Sequence, residues 1–133
     1  MNGHPPPESP QAWLERAHSD LALTSAALGL PNVLLEDACF HAQQCAEKAL
    51  KALLLQREIP FPRTHVVETL LDLLQASGMV VPPDVDEALI LTQYAVHTRY
   101  PGVWEPVTPE EARSALEVAN RVLTWVEEQL AHL

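Results

Sequence analysis

The fold of this chain is decided by the stretch FHAQQCAEKALKAL, residues 40–53. The stretch contains neither proline nor glycine, and its apolar residues recur at helical spacing, so it predicts the middle of a long helix. A second apolar strip, on Phe40, Leu50 and Leu54, places this helix centrally, with partners on two sides. One face carries mostly small side chains, which allow another helix to approach closely. The members of this small-residue face are Ala38, Ala42, Cys45, Ala46, Ala49 and Leu53.

Twelve prolines divide the sequence into segments that predict five helices. Two helix starts carry strong capping signals: Ser9 before Pro10, and the run Thr108-Pro109-Glu110-Glu111 with its reciprocal glutamate. Asp84 and Glu87 resemble a capping box at the fourth helix. No alternating strand pattern is present, so the sequence predicts an all-α, up-and-down bundle of five helices. The expected helices span about 10–28, 32 or 33 to 57, 64–77, 84–99 and 108–130.

Length and composition place the chain in a broad class. The 133 residues suffice for one domain, which we expect at 10–133 behind a disordered, Pro-rich segment at 1–9. No apolar run approaches the ~18 residues of a membrane span, and the first residues do not form a secretory signal, so we predict a cytoplasmic protein without a membrane partner. The formal net charge of -10 argues against binding to duplex DNA, which requires a broad basic surface.

A third face of the central helix carries His41, Gln44, Lys48 and Lys51, four side chains that can donate hydrogen bonds. The two lysines are the only ones in the sequence, and residues 41–65 contain two further arginines against two glutamates. In an acidic protein this is a local positive zone. The pattern favours a surface that holds phosphate.

Each of these residues also has a purely structural interpretation. Lys48 and Lys51 would then form a solvated helix face, paired with Glu47 or other neighbours at little energetic value. His41 would form hydrogen bonds at a dimer interface, and His65 would only begin the next helix. Both interpretations stay open at the level of the sequence.

A zinc site is a further hypothesis, because His41 and Cys45 lie four residues apart on one helix, close to Cys39. Two ligands do not close a tetrahedral site, and no other ligand motif stands out, so the sequence predicts no metal and no cofactor. The two cysteines lie six residues apart on the same helix and point in different directions. No disulfide is expected between them.

The run of residues 40–53 resembles the signature helix of prokaryotic HEPN domains. Pro62-Arg63-Thr64-His65 falls where such proteins start their next helix, and Thr98-Arg99-Tyr100-Pro101-Gly102 is similar to the family's later arginine-containing segment. The similarity covers about residues 12–127. It implies a helical bundle that dimerises around a shared cleft. The family is linked to nucleotide binding, to small nucleotidyltransferase partners in toxin–antitoxin pairs, and to RNA cleavage.

The ribonuclease members of that family carry an arginine and, after four to six further residues, a histidine, which join a phosphate clamp to an acid–base group. This sequence departs from that spacing. No histidine follows Arg99 until His132, and the interval from Arg57 to His65 is one residue too long and spans two prolines. An enzyme is therefore not favoured, and Arg99 has a structural alternative as a cap of the fourth helix's last carbonyls.

These observations favour a non-catalytic binding module: a homodimer whose cleft accepts a nucleotide or an RNA end, acting with a nucleotidyltransferase in a toxin–antitoxin pair. One alternative is a metal-independent ribonuclease toxin that uses His41 or His65 with Arg99. The other is a docking subunit for a nucleotidyltransferase that binds no ligand of its own. The residues expected to line the cleft are His41, Gln44, Lys48, Lys51, Arg63, Arg99 and Tyr100.

Overall fold

The computed structural model describes residues 8–97 and 105–132, and only the backbone of Val96 and His97. All regular structure in these residues is helical, which confirms the predicted all-α class. The elements are α1 (Pro10–Ala27), α2 (Leu35–Gln56), α3 (Val67–Ala76), α4 (Pro83–Asp86), a 3-10 helix (Glu87–Gln93), α5 (Tyr94–His97) and α6 (Pro109–Ala131). None of the described helices combines the length and the hydropathy needed to cross a bilayer.

α2 is the central element, as the sequence predicts. Its small-residue face is fully buried, and α1 packs against α2 in the opposite direction. The antiparallel pairing is defined by two contacts: Thr24 Oγ1 donates to the Ala38 carbonyl at 3.1 Å, and Trp13 lies against Lys51 at the other end of the pair. The buried alanines and cysteines of α2 leave room for neighbouring helices to pack closely against it.

α6 covers another side of α2 and runs in the same direction as α2. The Val107 N–H, just before α6, donates to Glu36 in the first turn of α2 at 3.4 Å. Farther along both helices, Cys45 Sγ lies 4.0 Å from the Ala119 carbonyl, to which it donates. Apolar residues of α6 supply much of this core, and the buried ones include Ala112, Ala115, Ala119, Val122, Leu123 and Val126.

The two strongest capping predictions are confirmed. Ser9 Oγ accepts a hydrogen bond from the Ala12 N–H at 3.1 Å, and Thr108 Oγ1 accepts one from the Glu111 N–H at 3.1 Å. The carboxylate of Glu111 has a different partner from the predicted one. It accepts a hydrogen bond from the Tyr94 hydroxyl, which ties α5 to the start of α6.

The first residue of α3 differs from the predicted one, and a local hydrogen bond explains the difference. The helix begins at Val67 instead of Thr64, because Thr64 Oγ1 accepts from the Val66 N–H at 3.0 Å and holds these residues in a turn. α3 ends at Ala76, one residue before the predicted end at 77, and Gly78 follows shortly after it with a φ of 98°. The connection at 57–66 therefore stays outside both helices and passes beside the polar face of α2.

Two further helix starts also differ. α2 begins at Leu35, two or three residues later than predicted, after the extended Leu34. The capping box proposed for Asp84 is wrong, because Pro83 opens α4 behind Pro82. Pro83 already has the φ of a first helical residue, so Asp84 lies within the helix and does not cap it.

The segment predicted as one helix from Asp84 to Arg99 is divided among α4, the 3-10 helix and α5. Residues three apart lie on one face of a 3-10 helix, whereas the α-helical period is 3.6. The inward residues of this segment recur every three positions, which matches the tighter helix. They are Val85, Ala88, Leu91 and Tyr94, all buried. Arg99 itself lies outside the described residues.

Candidate functional site

A buried carboxylate organises the polar face of α2. Glu47 is 3% exposed, and its two oxygens contact four side chains, the longest contact being a hydrogen bond of 3.5 Å from Gln44 Nε2 to Oε1. Lys51 Nζ lies 2.8 Å from Oε2, while His65 Nδ1 lies 2.9 Å and Gln43 Nε2 3.0 Å from Oε1. Gln44 Nε2 donates to the side-chain amide oxygen Oε1 of Gln43 at 2.7 Å. We call these five residues the Glu47 cluster.

The spacing of the cluster follows from helix geometry. Gln43, Glu47 and Lys51 are four residues apart, so they lie on one line along α2. Gln43 also donates to the backbone carbonyl of His65 at 3.0 Å. The 57–66 connection is thereby held to α2 by two hydrogen bonds of His65, one at its ring and one at its backbone carbonyl.

The protonation of Glu47 reflects two opposing effects. Burial favours the neutral acid, but hydrogen bonds from Lys51, Gln43 and His65 and the charge of Lys51 outweigh it and lower the pKa of Glu47 below its ordinary value of 4.5. Glu47 is thus an anion at neutral pH. A carboxylate anion only accepts, so His65 donates to it through Nδ1.

A second carboxylate lies on α1. Asp20, whose side chain is 8% exposed, accepts from Lys48 Nζ at 2.6 Å through Oδ2 and contacts His41 Nδ1 at 2.8 Å through Oδ1. We call these three residues the Asp20 cluster. Because His41 and Lys48 lie on α2, the Asp20 cluster joins α1 to α2 by charged contacts in addition to apolar packing.

A cavity of about 670 Å³ is formed by α1, α2 and the 57–66 connection. Its charged lining includes Lys48, Lys51 and Arg63, and the ammonium of Lys51 lies 5.4 Å from the centre of the Trp13 ring. The volume is that of a small-molecule site. The full lining is Glu8, Trp13, Glu47, Lys48, Lys51, Leu55, Phe61, Arg63, Thr64 and His65.

The predicted site residues divide among three locations. Lys48, Lys51 and Arg63 line the cavity together with His65, and Gln44 lies beside it in the Glu47 cluster. His41 is instead half-buried and lines a smaller cleft of about 270 Å³, formed with apolar residues of α1 and the α1–α2 connection. Arg99 and Tyr100 lie outside the described residues.

The structural interpretation of the lysines is right about the partner of Lys51 and wrong about its solvation: Lys51 is paired with Glu47, but its side chain is only 8% exposed.

Three contributors to the site were not predicted from the sequence. Asp20 was not singled out, although it is a charged residue four positions from the buried Thr24 on the inward face of α1. Trp13 and Phe61 were missed as cavity walls, because their role depends on how α1 and the 57–66 connection fold onto α2.

Cys39, His41 and Cys45 do not form a group of three potential metal ligands, and no such group of His, Cys, Asp and Glu side chains is found within residues 8–97 and 105–132. Both thiols are buried, and burial raises the pKa of Cys39 and of Cys45 to about 12. Cys45 donates to a carbonyl of α6, whereas the ring of His41 turns to Asp20. The three side chains thus face different neighbours.

The comparison with known proteins agrees with this architecture. The sequence profile of the HEPN domain matches residues 10–129. The chain belongs to the HEPN family. This HEPN chain is 29% identical over 136 aligned residues to a Methanocaldococcus jannaschii protein named "Putative toxin", an alignment that covers 89% of this chain and 86% of that protein.

Solved structures share the fold of this HEPN chain. An archaeal HEPN homologue is 32% identical with a TM-score of 0.73, over 91% of this chain and 97% of the other. A protein from Thermus thermophilus is 35% identical with a TM-score of 0.72, over 91% and 98%. A HEPN domain protein from Thermotoga maritima, at 22% identity and a TM-score of 0.71 over 91% and 98%, shares the fold alone.

We predict that Glu47→Gln lowers the free energy of unfolding by about 3 kcal/mol at pH 7, because it leaves the buried Lys51 ammonium without its counter-charge. The folded-state pKa of Glu47 is lowered, so its contribution is complete above pH 4.5 and is lost as the pH falls through the lower folded value. Urea unfolding of both proteins between pH 7 and pH 2 should therefore show a difference that shrinks in acid.

The matched control is Glu117→Gln on the exposed surface of α6, which should change stability by less than about 0.5 kcal/mol. A difference between wild type and Glu47→Gln that stayed constant with pH would contradict a charged Glu47.

Proposed function

We propose that this chain binds a nucleotide or an RNA end through its phosphate groups in the 670 Å³ cavity. The observation that carries the proposal is the convergence of Lys48, Lys51 and Arg63, supplied by two separate parts of the chain, on one cavity of an otherwise acidic protein. Phosphate oxygens are strong acceptors for such cations. The resemblance to HEPN proteins linked to nucleotides supports the same ligand class.

The three cations do not contribute equally. Lys51 and Lys48 are engaged by Glu47 and Asp20, so an incoming phosphate must share them with a carboxylate. Arg63 is exposed and has no ion-pair or hydrogen-bond partner among residues 8–97 and 105–132. Its planar guanidinium can bind two phosphate oxygens at once. We therefore assign the main phosphate contact to Arg63, with the lysines in support.

Arg63→Ala is expected to weaken the binding of ADP and of a 5′-phosphorylated oligoribonucleotide by about ten-fold, because it removes a charged hydrogen-bond donor. Isothermal titration at two salt concentrations measures this. Binding to wild type should fall more steeply with salt than binding to the variant. The matched control is Arg57→Ala, an exposed arginine at the end of α2 that is not in the cavity lining.

Equal losses in Arg63→Ala and Arg57→Ala would point to a diffuse charge effect and contradict a site at Arg63. The absence of ADP and RNA binding by the wild-type chain would contradict the proposed function. It would favour the docking subunit that carries no ligand.

The proposed functional unit is a homodimer. Exposed leucines support it: Leu23 is 48% and Leu30 54% exposed, and both line the cleft that contains His41. Leu34, nearby in the α1–α2 connection, is 66% exposed. Large apolar side chains clustered in this way are typical of a protein–protein contact. Here the contact is assigned to a second copy of the chain.

Light scattering after gel filtration should give twice the chain mass of 14.7 kDa for the wild type and a single chain for Leu23→Ser/Leu30→Ser, because the polar variant loses apolar contact area. Val80→Ser, at a position that is 86% exposed and remote in sequence, is the control and should remain dimeric. A wild-type mass of one chain would overturn the dimer.

The proposed partner is a small nucleotidyltransferase in a toxin–antitoxin pair. Support comes from the family resemblance and from the name of the Methanocaldococcus jannaschii relative. Co-expression of the two chains followed by the same mass measurement tests the pairing. A joint peak supports it, and separate elution of the two proteins contradicts it.

A metal-independent ribonuclease is the second candidate, and the orientation of His65 favours it. Glu47 holds the Nδ1 atom at 2.9 Å, Nε2 has no hydrogen-bond partner within residues 8–97 and 105–132, and the side chain is 55% exposed at the cavity. A carboxylate-oriented imidazole of this kind suits acid–base chemistry. The neighbouring Arg63 would hold the phosphate, and Arg99 is the second arginine proposed for that role.

If the ribonuclease operates, RNA cleavage persists in EDTA and falls at least about a hundred-fold in His65→Gln, the usual scale of an acid–base contribution. His18→Gln is the matched control, since His18 is 53% exposed and lies away from the cavity lining. Arg99→Ala tests the arginine in the same assay. Cleavage that survives in His65→Gln would exclude the proposed role of this histidine.

A further inference from the structure

We propose that Trp13 is the platform on which the base of the bound nucleotide stacks, so that the cavity recognises a base and a phosphate together. This inference rests on the proposed function and names the part of the ligand that the cations cannot recognise. It assigns a role in ligand recognition to α1, for which the sequence predicted only the bounds and the Ser9 cap.

Trp13 is held in place by its helix and by one charged neighbour. It lies in the first turn of α1, where its backbone N–H donates to the Ser9 carbonyl at 3.1 Å. The ammonium of Lys51 lies 5.4 Å from the ring centre and is itself held by Glu47 at 2.8 Å. The contact with Lys51 restrains the indole before any ligand arrives, and such restraint reduces the entropy lost on binding.

The ring is only half-buried, and it forms part of the cavity lining. Phe61 and Leu55 add apolar surface to the same lining, and Lys48 and Arg63 add cationic side chains. The cavity therefore has aromatic, aliphatic and cationic residues in its wall. A nucleotide needs this combination, because its base is flat and apolar on its faces whereas its phosphates are charged.

An anion without a base would contact only the cationic residues of this cavity. Inorganic pyrophosphate can contact the cations but gains nothing from Trp13, Phe61 or Leu55. Stacking on an aromatic side chain contributes to nucleic-acid binding with any of the bases, because every base has a π face. The geometry therefore predicts that bases are accepted broadly and that ligands without a base are bound more weakly.

The test compares ADP with pyrophosphate in the wild type, Trp13→Ala and Trp13→Phe by isothermal titration. We expect Trp13→Ala to weaken ADP binding by about ten-fold or more and to leave pyrophosphate within about two-fold. Trp13→Phe keeps an aromatic face and should recover most of the ADP affinity. Quenching of tryptophan emission by ADP should largely disappear in Trp13→Phe.

Three results would overturn the base platform while leaving the phosphate site intact. Unchanged ADP binding in Trp13→Ala is the first, and a failure of Trp13→Phe to recover ADP binding is the second. The third is an equal loss of ADP and pyrophosphate in Trp13→Ala, which would mean that the indole acts only by holding Lys51. If the wild-type chain binds neither ligand, the proposed function fails instead.

Discussion

A charge that cannot remain unpaired is the constraint on which the rest of this structure depends. Glu47 lies in the middle of α2 with 3% of its surface exposed, and an isolated carboxylate there would be strongly disfavoured. Lys51 supplies the counter-charge from the same helix, and His65 supplies a hydrogen bond from the following connection. The path of the chain between α2 and α3 is thus fixed by the solvation requirement of one side chain.

Asp20 imposes the same requirement on α1. Each of the two lysines of the sequence forms an ion pair with a buried or nearly buried carboxylate. The net charge of the polar face of α2 is therefore far closer to zero than its composition suggests. Both lysines line the cavity, but each is already paired with a carboxylate before an anion binds. Any anion that binds there competes with Glu47 or Asp20, which makes Arg63 the cation least restricted by the fold.

The sequence predicts the elements whose determinants are local. The small-residue face of α2 and the caps at Ser9 and Thr108 depend on neighbours a few positions away, and they are found as expected. The prediction of a single α-helix from Asp84 onward is wrong. The apolar residues of this segment recur every three positions, which is the period of a 3-10 helix. The polar face of α2, with His41, Gln44, Lys48 and Lys51, was predictable because all four residues lie on the same helix. The pairing of Lys48 with Asp20 was not, since it requires knowing that α1 and α2 are antiparallel.

The burial of Cys39 and Cys45 has a practical consequence. These are the two cysteines of the sequence, and both thiols are inaccessible and protonated at neutral pH. Alkylating reagents need an exposed thiolate, so the native chain offers them no target. A cysteine introduced at an exposed position such as Val80 would be the single reactive thiol, and a fluorophore or spin label can be attached there without first removing the natural cysteines from the core.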